Sequence, residues 1–216
     1  MNRLRIAALL FLAATTAAPS VTAAQGWAYP SFQPPRVVAR EYNFGIADAD
    51  AGGASIVFQW REQAGPQSLF SFDLGIADTD RGEDDLVLFG GVGFGHRLGT
   101  ASNEVPLDFL FTAGAYLALG DVTLFRLPVG VSMGHRFTFS DGMSLTPYLH
   151  PRLSLDICSD CGDDSDIALA FDLGANFQIA RSVSVRGAVV FSGSDYFDEG
   201  FGISLAWTPP SLARRR

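Results

Sequence analysis

From about Val37 onward the chain is a succession of short segments in which large apolar residues alternate with small or polar ones. The stretch "RLPVGVSMGHRF", residues 126–137, shows the pattern. Leu127, Val129, Val131, Met133, His135 and Phe137 share one parity, and Arg126, Pro128, Gly130, Ser132, Gly134 and Arg136 share the other. A period of two places successive side chains on opposite faces of a β-strand. The same alternation recurs in "VVAREYNFGIA" (37–47), "SIVFQWR" (55–61), "LFSFDLGIA" (69–77), "LVLFGGVGFGHRL" (86–98) and "LDFLFTAGAYLAL" (107–119). It continues in "SLTPYLHPRLSL" (144–155), "IALAFDLGANFQI" (167–179), "VSVRGAVVF" (183–191) and "FGISLAW" (201–207). The connections are short and rich in Gly, Asp and Ser, and no helical period interrupts them, so an antiparallel meander of about ten strands is expected, with eight as the other count.

The two faces decide what surrounds this sheet. A soluble sandwich buries its apolar face and crowds the wetted one with Lys, Glu and Thr. Here the second face is mostly Gly, Ser and Ala with one or two charges per strand, which suits a confined interior; the apolar face then meets lipid. In hydrocarbon every backbone group must be paired within the protein, so the sheet must close. Most segments approach the ~9–11 residues of a membrane-spanning strand. The expected fold is therefore all-β: a closed antiparallel up-and-down transmembrane β-barrel. Pro128, Pro147 and Pro151 each delete a ladder donor, and local bulges are expected there.

The lumen parity collects Glu41, Asp73, Asp108, Arg126, Arg152, Asp172 and Arg186, with Arg61, Arg97 and Arg136. Barrels of ~8 strands are filled by their own side chains and wide channels appear near ~16, so this set is expected to form a paired network that plugs the lumen rather than a pore. Arg126 is expected to pair with Asp108 or Asp172.

Charge sharpens the picture. The net charge of −8 excludes a nucleic-acid partner, and all fifteen cations are Arg, because the chain has no Lys. If the first strand rises from the periplasm, the acids concentrate at the opposite end: Asp48 and Asp50; Asp78, Asp80, Glu83, Asp84 and Asp85; Asp121; Asp156, Asp160, Asp163, Asp164 and Asp166; Asp195, Asp198 and Glu199. Only Arg81 opposes them there, and the inner turns hold just Glu104 and Asp141, with Glu62 bordering the first. Trp60, Phe70, Phe94, Phe109, Phe137, Phe177 and Trp207 fall near the inner strand ends, as an interfacial girdle should.

The remaining segments complete the organisation. Residues 1–24 have Arg3 and Arg5, an apolar run from Ile6 to Ala14 and a small-residue exit at Thr22-Ala23-Ala24, the form of a cleaved export signal. Residues 25–35 read as a Pro-rich extended linker, 36–208 as the barrel and 209–216 as a basic periplasmic tail. Cys158 and Cys161, in the acidic loop "DICSDCGDDSD", are expected to form a disulfide in an oxidising compartment. Asp160, Asp163 and Asp164 in that loop are candidates for weak association with a divalent cation such as Ca²⁺ or Mg²⁺. "GGVGFG" (90–95) lies inside a strand and opens no helix, so it is no phosphate loop.

With these features the chain resembles a small bacterial outer-membrane β-barrel of the OmpA/OmpX-like kind. The resemblance rests on the architecture and on "GFGISLAW", where Gly202, Leu205 and Trp207 match the glycine and spaced hydrophobics of the family's C-terminal assembly signal. Gly200 stands where that signal prefers a polar residue, and "TPPSLARRR" follows the final aromatic. The resemblance implies outer-membrane lipid and lipopolysaccharide, and the barrel-assembly machinery, as partners, with both termini periplasmic and no cofactor. Enzymes among such barrels, the omptin-like proteases and the lipid A-modifying enzymes, carry a His at the outer rim beside carboxylates or a Ser. Here His96 and His135 fall at the inner end and His150 in mid-strand, so a non-enzymatic role is expected: envelope integrity, or surface binding through acidic loops. A narrow channel for small solutes is the second reading, and a lipid A-directed enzyme the third.

Overall fold

The computed structural model describes residues 29–49, 53–78, 86–120, 122–139, 142–159, 165–194 and 197–210. Their strands are β1 (Arg40–Ala49), β2 (Gly53–Gln63), β3 (Ser68–Asp78), β4 (Leu86–Gly99), β5 (Asp108–Leu119), β6 (Thr123–Gly134), β7 (Phe137–Thr138), β8 (Ser144–Ser159), β9 (Ser165–Ala180), β10 (Val183–Ser194) and β11 (Phe197–Trp207). Every pairing is antiparallel and nearly all join sequence neighbours. β1 pairs with β11, and β6 pairs with β8, so the sheet closes on itself. The two-residue β7 only extends the edge of β8 at Leu145 and Ser144, leaving ten strands in the barrel. All ten coincide with the alternating segments of the sequence. β1 starts and β11 finishes at the same end, with Tyr42 opposite Trp207; this is called the inner end, and the other the outer end.

The side-chain period divides the wall as expected. Phe44, Ile56, Leu74, Ile167, Leu173 and Ile203 project outward and are exposed, while Asn43, Val57, Asp73, Ala168, Asp172 and Ser204 on the alternate parity are buried inside. Soluble monomers rarely present so continuous an apolar surface. It is a belt for hydrocarbon. At its inner edge aromatic side chains group together: Tyr42 stacks on Trp207 at 5.6 Å, Phe70 lies 5.6 Å from Phe94, and His135 meets Phe137 edge-on at 4.6 Å. Among the described residues no helix is long and apolar enough to cross a membrane.

The prolines act through lapses in pairing rather than through bulges. The β5–β6 ladder lapses between Ala113↔Val129 and Tyr116↔Arg126, at Pro128. The β6–β8 ladder lapses between Gly130↔Arg152 and Met133↔Leu149, at Pro151. Pro147 keeps its register with Ala175, and β6 has ended at Gly134 before it could face that proline. Thus each missing N–H falls where no ladder bond is formed, and the wall stays closed. The register shifts occur elsewhere, at Arg97/Gly99, Val183/Ser184 and Phe191/Ser194.

Small residues on the inner parity make room for large neighbours. A Cβ on Gly75 would overlap the Phe89 ring, one on Gly114 the Tyr116 ring, and one on Gly174 the Tyr148 ring. The glycines therefore admit aromatic rings to the lumen, not only the charges expected from the sequence.

The segment expected to be a linker has a different place. Residues 29–38 lack regular structure, as a Pro-rich stretch should, yet Tyr29, Phe32, Gln33, Val37 and Val38 are all buried. Val37 packs with Leu69 and Leu110 near the inner end. Tyr29 and Phe32 join a cluster that runs from Tyr148 and Ala188 through Val57 and Phe89 to Ala47, Ala77, Val87, Ala118 and Leu124 toward the outer end. An irregular segment with aromatic anchors thus occupies a tube of ten strands that its own wall residues leave partly empty. The leader at 1–24 and the end of the basic tail lie outside the described residues.

Charge on the outer parity is expected to cost about 2–4 kcal/mol at mid-depth. Leu173→Arg should therefore lower the yield of folded protein in lipid vesicles, whereas Ala170→Ser, facing the lumen, should fold like the parent. Equal folding of the two variants would contradict the assignment of faces.

Candidate functional site: the barrel lumen

The centre of the lumen is a carboxylate held by three guanidinium groups. Glu41 on β1 accepts from Arg186 on β10 at 2.6 Å, from Arg36 at 2.7 Å and from Arg61 on β2 at 3.3 Å. Arg186 also donates from Nε to Asn176 Oδ1 at 2.8 Å. Alternation places Glu41, Arg61, Asn176 and Arg186 on one face, the lead-in brings Arg36, and closure between β1 and β11 brings β10 and β1 within reach. Buried charges persist only when paired and hydrogen-bonded, because their desolvation is otherwise uncompensated.

A second group surrounds Asp172 on β9. It accepts from Arg152 Nη2 at 2.8 Å and from Ser31 Oγ of the lead-in at 2.9 Å, and His150 Nδ1 lies 3.2 Å from Oδ2. The other ring nitrogen, Nε2, is 2.8 Å from Thr112 Oγ1. A third group centres on Asp73, which accepts from Tyr29 OH at 2.6 Å and from Gln59 Nε2 at 2.8 Å. The fourth is a two-pronged pair: Arg126 donates to Asp156 from Nε at 2.9 Å and from Nη2 at 2.7 Å, and Ser194 Oγ adds a bond at 3.2 Å.

The lead-in is bound by the same network. Arg61 donates to the carbonyls of Phe32 at 2.9 Å and Ser31 at 3.1 Å, and Ser132 Oγ donates to Gln33 O at 2.6 Å. Backbone groups of a buried irregular segment must find partners, and here charged wall residues supply them. Among the described residues a cavity of about 60 Å³ remains beside the lead-in, bordered by Tyr29, Ser31, Arg61, Asp73, Tyr116, His150 and Arg152. It holds a few waters at ~10–15 Å³ each. Asp73 Oδ1 and Arg152 Nε have no hydrogen-bond partner among the described residues and suit such waters.

Thr112, His150 and Asp172 lie in the order hydroxyl, imidazole, carboxylate that activates a nucleophile. The geometry can relay a proton. Ser31, however, also occupies Nδ1 at 2.8 Å, and the adjoining cavity admits water rather than a substrate carbonyl.

Of the residues expected in the network, Glu41, Asp73, Arg126, Arg152, Asp172 and Arg186 are brought into the lumen. Asp108 is not; it is half-buried at the inner end and accepts from Ala101 N at 3.0 Å. Arg126 accordingly pairs with neither Asp108 nor Asp172. Its partner, Asp156, was expected in an outer loop, but β8 continues to Ser159 and turns that carboxylate inward. Sequence reasoning also missed Ser31, Asn43, Gln59 and Asn176. The polar members of the wall carried the signal of inward parity, whereas Ser31 gave none. Cys158 is buried and is not a free thiol. Cys161, Asp160, Asp163 and Asp164, with much of the acidic rim, lie outside the described residues. Among the described residues no group of three or more His, Cys, Asp or Glu is placed to hold a metal ion.

A closed antiparallel barrel with an apolar belt outside, an aromatic inner edge and a charged interior defines an outer-membrane β-barrel. No protein-family model matches the chain, and no curated protein matches it. Among solved structures it is similar to one described as a bacterial polysaccharide outer membrane secretin, at 9% identity and a TM-score of 0.49, over 71% of this chain and 56% of that one. It is also similar to the β domain of the Bordetella autotransporter BrkA, at 8% identity and a TM-score of 0.49, over 78% and 97% of the two chains. Neisserial surface protein A shares 16% identity, with a TM-score of 0.29, over 78% and 93%. These likenesses bear on no activity.

Removing one partner of a buried pair strands the other, at a cost of about 3–5 kcal/mol. Arg126→Leu should lower the denaturant midpoint of the refolded barrel markedly, and adding Asp156→Leu should restore most of the loss. A midpoint unmoved by the single change would mean that Arg126 and Asp156 are solvated.

Proposed function

We propose that the protein is an integral component of the bacterial outer membrane, exported by its leader, with a non-enzymatic role in envelope integrity or in surface binding through acidic extracellular loops. The inner end faces the periplasm in this reading, the outer end faces the medium, and a Cys158–Cys161 disulfide braces the most acidic loop. Lipopolysaccharide surrounds the belt, and the assembly machinery reads the C-terminal strand. The observation that carries the reading is the occupied lumen: among the described residues, the lead-in and its hydrogen-bonding network leave beside them a cavity that takes a few waters.

The second reading, a narrow channel, draws on the polar lining of that cavity. Planar-bilayer recording separates the two. The intact protein should insert without conductance steps, whereas a variant lacking residues 29–35 and still folded by its gel mobility should conduct. Steps from the intact protein, abolished by no change in the lead-in, would favour the channel.

A further inference from the structure

The lead-in has a direction inside the barrel. Val37 lies with Leu69 and Leu110, each within two residues of the inner ends of β3 and β5. The Gln33 carbonyl is held by Ser132, two residues from the inner end of β6. Phe32 borders Gly45 and Gly202, midway along β1 and β11. Tyr29 stacks on Phe89 at 5.3 Å and bonds Asp73. Phe89 is three residues from Leu86, the outer end of β4, a rise of about 10 Å. Read backwards, then, the chain climbs steadily from the inner end toward the outer one.

Among the described residues, no room to turn back is left beside Tyr29 and Ser31. The space beside Tyr29 and Ser31 is the cavity of about 60 Å³, enough for a few waters and not for a second run of polypeptide. We propose that the lead-in enters the lumen through the outer mouth, so that the mature amino terminus opens on the outside of the membrane while the carboxyl end of β11 remains on the inside. This rests on the orientation given under Proposed function, and departs from the expectation that both termini are periplasmic. Cleavage after Ala24 leaves four residues before Tyr29, which span at most about 13 Å when extended, enough to cover the remaining rise.

The composition supplies a clean test. The chain has no Lys, so the α-amine is the mature protein's one primary amine. Gln25→Lys adds a second amine at the same point and removes a residue that can cyclise onto its own α-amine. Ser182→Lys places one in the turn between β9 and β10, at the inner end. Intact cells producing each folded variant would be treated with a membrane-impermeant amine-reactive biotin reagent, and the label located by peptide mass spectrometry. Label at position 25 in intact cells, with label at 182 only after lysis, is the expected result. Absence of label at position 25 in intact cells, with label there after denaturation, overturns the proposal. Label at 182 but not at 25 in intact cells shows instead that the barrel is inverted, and overturns the orientation together with the proposal.

Discussion

Hydrocarbon offers a backbone amide no partner, and most of this structure follows from that constraint. A sheet with free edges would leave rows of N–H and C=O groups unpaired in lipid, so β1 must find β11 and β6 must find β8. Once closed, the wall has one face toward lipid and one toward a narrow interior, and each residue's fate is decided by whether its number is odd or even within its strand. Even the prolines obey: the lapses at Pro128 and Pro151 sit where a proline would in any case have no hydrogen to give.

Closure creates a second problem, an interior too wide for its wall residues and too narrow for bulk water. Large rings laid over glycines, as Tyr116 over Gly114 and Tyr148 over Gly174, solve part of it. The lead-in solves the rest. Its irregular backbone would be costly to bury unaided, and arginines that also neutralise Glu41 furnish the donors for its carbonyls. The network therefore serves two purposes at once, pairing wall charges across the lumen and fastening the segment that fills it.

The wall was legible in the sequence because period-two alternation is a local property, visible in a dozen residues such as 126–137. The membership of Glu41, Asp73, Asp172 and Arg186 in the lumen followed from the same parity. Partnerships were not legible, since pairing across a barrel depends on register and strand length: four residues more of β8 moved Asp156 from a loop to the interior and gave it to Arg126. Asp108 has the right parity and the wrong depth, at the very start of β5. Ser31 and Phe32 were illegible for a different reason, because a segment without periodicity carries no mark of what will surround it.

Tyr29, Ser31 and Phe32 are bonded to strands from both halves of the chain, through Asp73 on β3, Asp172 on β9 and Arg61 on β2. A finished cylinder would have to loosen to admit them. The geometry is that of a garment wrapped around a limb rather than a sleeve drawn over it: the meander curls about the lead-in, and the β1–β11 seam, which joins the segment's own strand to the last one made, is where the wrapping is fastened.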